Sequence, residues 1–145
     1  MATATATGSH KLHLTVITPA KAVLDTDANA IVVPAYDGEL GVLPGHADML
    51  ALLGNGVLRL TTADGNTQRV AIRGGFLQVN HNKVTVLTPE SASQSDLKAD
   101  VLKAEREKLE AEKPTKLEDR EAQEQKRVWL TAREKTLQPS SHSPH

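Results

Sequence analysis

His46 follows Pro44-Gly45 in the stretch GVLPGHADML, and three acids, Asp37, Glu39 and Asp48, lie close by in sequence. An imidazole beside carboxylates can move protons or hold a metal ion. Acid–base catalysis also needs a nucleophile or a substrate pocket, and no serine, cysteine or lysine stands near enough in sequence to act as one. One histidine among scattered carboxylates also lacks an established ligand spacing, such as two histidines one helical turn apart. A small hydrolase or metal enzyme built on Asp37, Glu39, His46 and Asp48 is therefore the second reading. The first is a shaped loop. Asp37-Gly38 and Pro44-Gly45 are both turn signals, and Pro-Gly favours a type II turn with positive φ at Gly45. His46 and Glu39 are then structural or contact groups.

The stretch RGGFL at 73–77 raises a similar choice. Two glycines before an aromatic can suggest a phosphate loop, but no lysine and no helix follow. A glycine pair inside a strand pattern marks a bulge or a close backbone approach. The other histidines, His10, His13, His81, His142 and His145, do not pair at ligand spacing.

These residues sit in a chain of 145 with formal net charge −1 and 2% aromatics. That balance excludes a general nucleic-acid binder, which needs a basic field and stacking rings. There is no cysteine, hence no disulfide framework and no thiolate zinc site. No apolar run approaches the ~20 residues that span a bilayer. The opening MATATATGSH has neither a signal-peptide core nor the arginines of a presequence.

The composition changes near Glu90. Before it, short alternating runs are separated by turn residues: 12–18, 21–27, 30–33, 56–62, 68–73, 75–80 and 83–88. Asp64-Gly65-Asn66 and Asn80-His81-Asn82 are the clearest turns between them. Many short strands without a helical period predict an antiparallel β-sandwich. After Glu90, about half of residues 96–138 are charged, in nearly equal signs, and no glycine occurs. This half predicts two helices joined at Lys113-Pro114-Thr115, an antiparallel hairpin. Ser95 or Asp96 should cap the first, with Leu97, Val101, Ala104 and Ala111 on one face and Leu102 and Leu109 on a narrower stripe. Thr115, with Glu118 three residues on, should cap the second, where Leu117, Val128 and Ala132 share a face and Trp129 lies to the side. The fold class is thus α+β: a disordered tail at 1–10, a sandwich over 11–90, a helical hairpin over 91–138 and a disordered tail at 139–145. The apolar stripes of the hairpin are thin, so its partner surface must hold it as much as it holds itself.

DGELGVLPGHADML at 37–50, IRGGFLQV at 72–79, VTVL at 84–87 and the charged hairpin, in this order, closely resemble the epsilon-subunit family of bacterial and chloroplast F-type ATP synthase. HLTVITPAKAVLD at 13–25 fits the first strands of that family, and the resemblance spans about residues 12–137.

The resemblance implies a non-catalytic rotor-stalk subunit that couples proton flow through the c-ring to ATP synthesis by way of gamma. Its sandwich would grip gamma and rest on the ring of c-subunits, with Asp37, Gly38, Glu39, Gly41, Pro44, Gly45, His46, Gly74, Gly75 and Phe76 as interface residues. Its hairpin would be mobile. It would fold against the sandwich or extend into the catalytic alpha/beta head to block hydrolysis, and Lys103, Arg106, Lys108, Lys126, Arg127 and Arg133 would meet acidic residues there. The resemblance implies a peripheral place at the cytoplasmic face of a bacterial inner membrane, the plastid thylakoid being the second choice, with membrane association only through the complex. Some members bind ATP through a hairpin motif written I/L-D-x-x-R-A. Here the stretch reads Leu97-Lys98-Ala99-Asp100-Val101-Leu102, in which only the leucine matches. No cofactor, nucleotide or metal is therefore expected.

Overall fold

The computed structural model describes residues 11–137. The tails expected at 1–10 and 139–145 lie outside these residues. The strands are β1 (Leu12–Ile17), β2 (Ala22–Ala28), β3 (Ala30–Ala35), β4 (Gly38–Val42), β5 (Met49–Thr61), β6 (Thr67–Asn80), β7 (Lys83–Leu87) and β8 (Ser91–Ser93). A single 3₁₀ turn at Gln94–Asp96 leads into helices α1 (Ala99–Ala111) and α2 (Leu117–Leu137). An N-terminal β-sandwich followed by a helical hairpin is the fold class that the composition predicts.

The strands run in the order β2-β1-β7-β6-β5-β3-β4, with β8 beside β6. All pairs are antiparallel except β1 with β7. The sheet closes over one core. Leu12, Leu14 and Val16 of β1 meet Ile31 and Val33 of β3, Leu58 and Leu60 of β5, Val70, Ile72, Leu77 and Val79 of β6, and Val84 and Val86 of β7. Each such side chain contributes ~1.5–3 kcal/mol by leaving water.

The long strands differ from the sequence expectation. Residues 56–62 are only the end of β5, and 68–73 and 75–80 are one strand, β6. The segment 36–50, expected as loop, holds β4 and the start of β5. Short runs looked separate because the inward-facing parity changes along each strand. On β6 the buried residues pass from Val70 and Ile72 to Leu77 and Val79, and on β5 from Leu53 to Leu58 and Leu60. Same-face residues of a regular strand are an even number apart, so each strand swaps faces in between. The swap falls at Gly54–Gly56 and Gly74-Gly75, which face each other across the β5–β6 ladder.

Gly75 is required there. Its φ is +110°, and a Cβ would lie 1.9 Å from the carbonyl oxygen of Leu87. This is the close backbone approach that the glycine pair suggested. Gly56 solves a neighbouring problem. Pro34 cannot donate to the ladder, and the β3–β5 register breaks between Val32 and Ala35. A Cβ on Gly56 would stand 2.8 Å from the ring of Pro34.

The helix faces also differ. α1 buries Leu102 and Leu109, the stripe predicted to be narrow, while Val101, Ala104 and Ala111 are exposed. The reason is its neighbour: Leu102 and Leu109 pack on Leu130 of α2. On α2, Leu117 and Val128 are exposed, whereas Trp129, Leu130 and Ala132 are buried. α2 has two neighbours, α1 and the sheet, so its buried arc is no single stripe. The caps shift as well. Asp96 accepts the backbone N–H of Ser93 at 3.2 Å and closes the 3₁₀ turn rather than α1. α1 starts after Lys98. α2 begins at Leu117, its first turn closed on the Lys116 carbonyl at 3.0 Å and not on Thr115.

Gly75→Ala should therefore cost more than about 3 kcal/mol, since strain and a backbone collision add. Gly41→Ala, where a Cβ meets nothing within 4 Å, should stay within about 0.5 kcal/mol. Urea unfolding of the two variants checks this.

Candidate functional site

The structure scatters the four candidate catalytic residues. Glu39 on β4 accepts a forked pair of hydrogen bonds from Arg59 of β5, at 2.9 and 3.2 Å. His46 turns back on its own loop, with Nδ1 2.8 Å from the carbonyl oxygen of Ala47. Asp48 accepts the backbone N–H of His81 at 2.9 Å. Asp37 is exposed. Among the described residues no group of three or more histidines and acids is placed to hold a metal.

The 43–48 loop is braced instead. His46 N–H donates to the Leu43 carbonyl at 3.0 Å, closing the Pro44-Gly45 turn. Gly45 N–H donates to Oδ1 of Asn82 at 2.8 Å, which ties this loop to the β6–β7 turn. His81 and Asn82 both have positive φ, the pattern of a tight hairpin turn. The carbonyl of Asn82 accepts the His13 N–H at 2.9 Å, which ties in β1. Leu43 stands at the tip of this corner, 61% exposed.

The outward face of β5 and β6 falls into two halves at the glycine crossing. One half is covered: Ala71 and Ala92 pack under Trp129 and Ala132 of α2, with Val57 and Leu97 alongside. The other half is bare and apolar. Leu52 pairs with Phe76, and Phe76 pairs with Leu87. Leu50, Leu52, Phe76 and Leu87 are 49–70% exposed. Together they form a contiguous apolar patch of the kind that marks a protein interface. Of the residues expected at an interface, Phe76 lies in this patch, Gly74 and Gly75 form its margin, and Pro44, Gly45 and His46 form the braced corner. Gly38 and Glu39 lie elsewhere, beside Arg127 and Lys135 of α2. Leu50, Leu52 and Leu87 escaped the sequence reading. Their alternation was visible, but only the β5–β6 register shows that it continues the row of Phe76.

The hairpin cations divide as well. Arg106 donates to both carboxylate oxygens of Glu134 at 2.8 Å, to Thr131 at 2.9 Å and to Glu110 at 3.2 Å. These carboxylates, Glu134 first, raise its pKa further. Arg133 pairs with Glu105 at 3.1 Å through one nitrogen and more closely through the other. Both arginines thus join α1 to α2. Arg127 lies 3.5 Å from Glu124, and Lys103, Lys108 and Lys126 are exposed.

Residues 11–94 match the family described as ATP synthase, Delta/Epsilon chain, beta-sandwich domain. The chain is 45% identical over 112 residues to the ATP synthase epsilon chain of Symbiobacterium thermophilum, covering 77% of each. It is 40% identical over 96 residues to that of Carboxydothermus hydrogenoformans, covering 66% of this chain and 69% of the relative. Among solved structures, it superposes on a chain of the Euglena gracilis mitochondrial ATP synthase (OSCP/F1/c-ring, rotational state 1) with TM-score 0.77 and 24% identity, covering 89% of this chain and 82% of that one. A chain of the Tetrahymena thermophila mitochondrial ATP synthase central stalk and c-ring matches with TM-score 0.62 and 18% identity, covering 88% and 97%. These two likenesses show the fold.

His13 carries the pH signature of the sheet edge. Its Nδ1 lies 2.9 Å from Asp27, its direct partner on β2, and its Nε2 contacts Asp25. Asp27 first, then Asp25, raise the His13 pKa above its ordinary 6.5, and His13 lowers that of Asp27. A raised folded-state pKa means that the stabilisation is complete below about pH 6.5 and fades as pH rises through the higher folded value. NMR titration should place the His13 midpoint above 6.5, and Asp27→Asn should lower it. A midpoint unchanged by that substitution would show that the pair does not form in solution.

Proposed function

Because the chain belongs to the epsilon chains of F-type ATP synthase, we propose that its two exposed features divide the work of a central-stalk subunit. The bare apolar face docks gamma, and the braced corner at 43–48 meets the ring of c-subunits. The observation that carries this reading is the row Leu50, Leu52, Phe76 and Leu87, which the hairpin leaves uncovered on the same sheet face that it covers elsewhere. A rotor subunit must transmit torque, and a dry apolar contact on a stiff sheet does so better than a mobile polar one. Gly41, Pro44, Gly45 and His46 shape or flank the corner, whose hydrogen bonds to Asn82 and His81 keep it from yielding under load, while Asp37 stands in the β3–β4 turn at the other end of β4.

The subunit has no chemistry of its own in this reading. Glu39 is held by Arg59, His46 by its own loop and Asp48 by the β6–β7 turn, so none stands ready as acid, base or ligand. The sandwich and the hairpin act as separate units. In its docked form the hairpin leaves the catalytic head free. Released, it extends along gamma towards the alpha/beta head and opposes ATP hydrolysis. Lys103, Lys108, Lys126 and Arg127 are then the first cations to meet acidic partners. Arg106 and Arg133 join them only if α1 and α2 part, since both arginines bridge the two helices. The subunit sits peripherally, through the complex, at the cytoplasmic face of a bacterial inner membrane.

Phe76→Lys in the full chain should weaken binding to gamma about tenfold to hundredfold, the cost of losing ~1.5–3 kcal/mol of apolar burial. Lys103→Glu, on the far side of the hairpin, should leave it unchanged. A chain ending at Asp96, which keeps β8, should bind like the parent. Binding by folded Phe76→Lys at parental strength would move the interface off this face.

A further inference from the structure

Trp129 is the one tryptophan of the chain, and it is 5% exposed although it stands on a largely charged helix. Its seat is built from small residues. Ala71 of β6 and Ala92 of β8 are direct cross-strand partners, and both turn away from the sandwich core towards α2. Two alanines side by side leave a hollow that admits an indole ring, which a pair of ordinary strand residues would fill. The ring is flanked by cations from both bodies: Arg73 of the sheet at 5.9 Å from its centroid and Arg133 of α2 at 5.3 Å. Each cation is itself held in place. Arg73 donates to the Glu90 side chain at 2.8 Å, while its backbone N–H reaches the Glu90 carbonyl at 3.1 Å. Arg133 is held by Glu105 of α1.

Among the described residues, the buried apolar cluster that joins hairpin and sheet is the one around Trp129. α1 buries Leu102 and Leu109 against Leu130 of α2, within the hairpin. On α2 the buried apolar residues packed on the sheet are Trp129 and Ala132, while Arg127 and Lys135 lie beside it at a more open cleft. The half of α2 before Trp129 is almost wholly exposed. A hairpin fixed at one anchor undocks by losing that anchor, and its internal ion pairs can travel with it unbroken.

We propose that Trp129, seated on Ala71 and Ala92 and faced by Arg73, is the latch that sets the balance between docked and released hairpin. Arg133 moves with the hairpin, so Arg73 is the cation whose contact is made on docking and broken on release. The inference deepens the reading of the hairpin as a mobile regulator and rests on it for its effect on hydrolysis. The latch itself can be measured without that effect.

The test uses the cysteine-free full-length chain with Ala132→Cys as a thiol probe beside the anchor. Native-state labelling of that thiol reads the opening equilibrium even when the released form is rare. Arg73→Gln should speed labelling about two- to fivefold, the equilibrium equivalent of one exposed cation–π contact. Arg73→Lys, which keeps the cation, should stay near the parent. Ala71→Met, which fills the hollow, should speed labelling more than Arg73→Gln and shift Trp129 emission to longer wavelength, with the sheet signal in circular dichroism retained. Labelling unchanged by Arg73→Gln, or equally fast in Arg73→Lys and Arg73→Gln, would overturn the latch even if Ala71→Met failed to fold. In the assembled ATPase, the variants that open faster should hydrolyse ATP more slowly. Faster opening with equal hydrolysis would leave the latch standing and refute the regulatory reading instead.

Discussion

The crossing of β5 and β6 at their glycines is the constraint on which the rest depends. Both strands must swap faces there, so that Leu58, Leu60, Val70 and Ile72 on one side and Leu53, Leu77 and Val79 on the other all reach the same core. The swap brings Gly75 so close to Leu87 that no side chain fits. It also divides the outer sheet face. Beyond the crossing one half presents alanines and takes the hairpin, and the other presents leucines and a phenylalanine and stays open. One backbone feature thus fixes the core, the docking seat and the proposed gamma surface.

The two surfaces differ in strength for physical reasons. The open half offers four large apolar side chains on strands locked into the central sheet. The docking seat offers one indole, a few small residues and the Arg73 cation beside the ring, while the ion pairs around it lie within the hairpin or within the sandwich. Exposed ion pairs contribute ~0–1 kcal/mol each. The strongest pairing, Arg106 with Glu134, lies between the two helices and does nothing to hold them on the sheet. On the proposed reading, a permanent contact and a reversible one follow from the same fold. A switch needs two states within a few kcal/mol, and a small anchor supplies that condition.

Much of this was legible in sequence. Alternation and turn residues gave the strands, and both tight turns form where Asp64-Gly65-Asn66 and Asn80-His81-Asn82 stand. The order of GVLPGH and GGF pointed to the family. Long strands were read as short ones because period-2 reasoning assumes a constant face, and β5 and β6 change theirs. The hairpin faces were misjudged because a helix touching two neighbours has no single stripe: Leu102 and Leu109 face α2, while Trp129 faces the sheet. Partner-dependent facts were out of reach. That Glu39 meets Arg59, or that Asn82 braces Gly45, depends on registers between segments far apart in the chain.

The central claim is that the hairpin regulates by leaving the sheet. The chain has no native cysteine, so one engineered pair can be its only disulfide. One cysteine would replace a residue of β5 and its partner one of α2, with Cα atoms closer than ~7 Å. The measurement is ATP hydrolysis by the assembled enzyme, with the cross-link confirmed, under oxidising and then reducing conditions. Hydrolysis should be faster when the hairpin is tied down and should fall on reduction, while synthesis changes little. Equal hydrolysis in both states would contradict the claim and make the hairpin a fixed structural element.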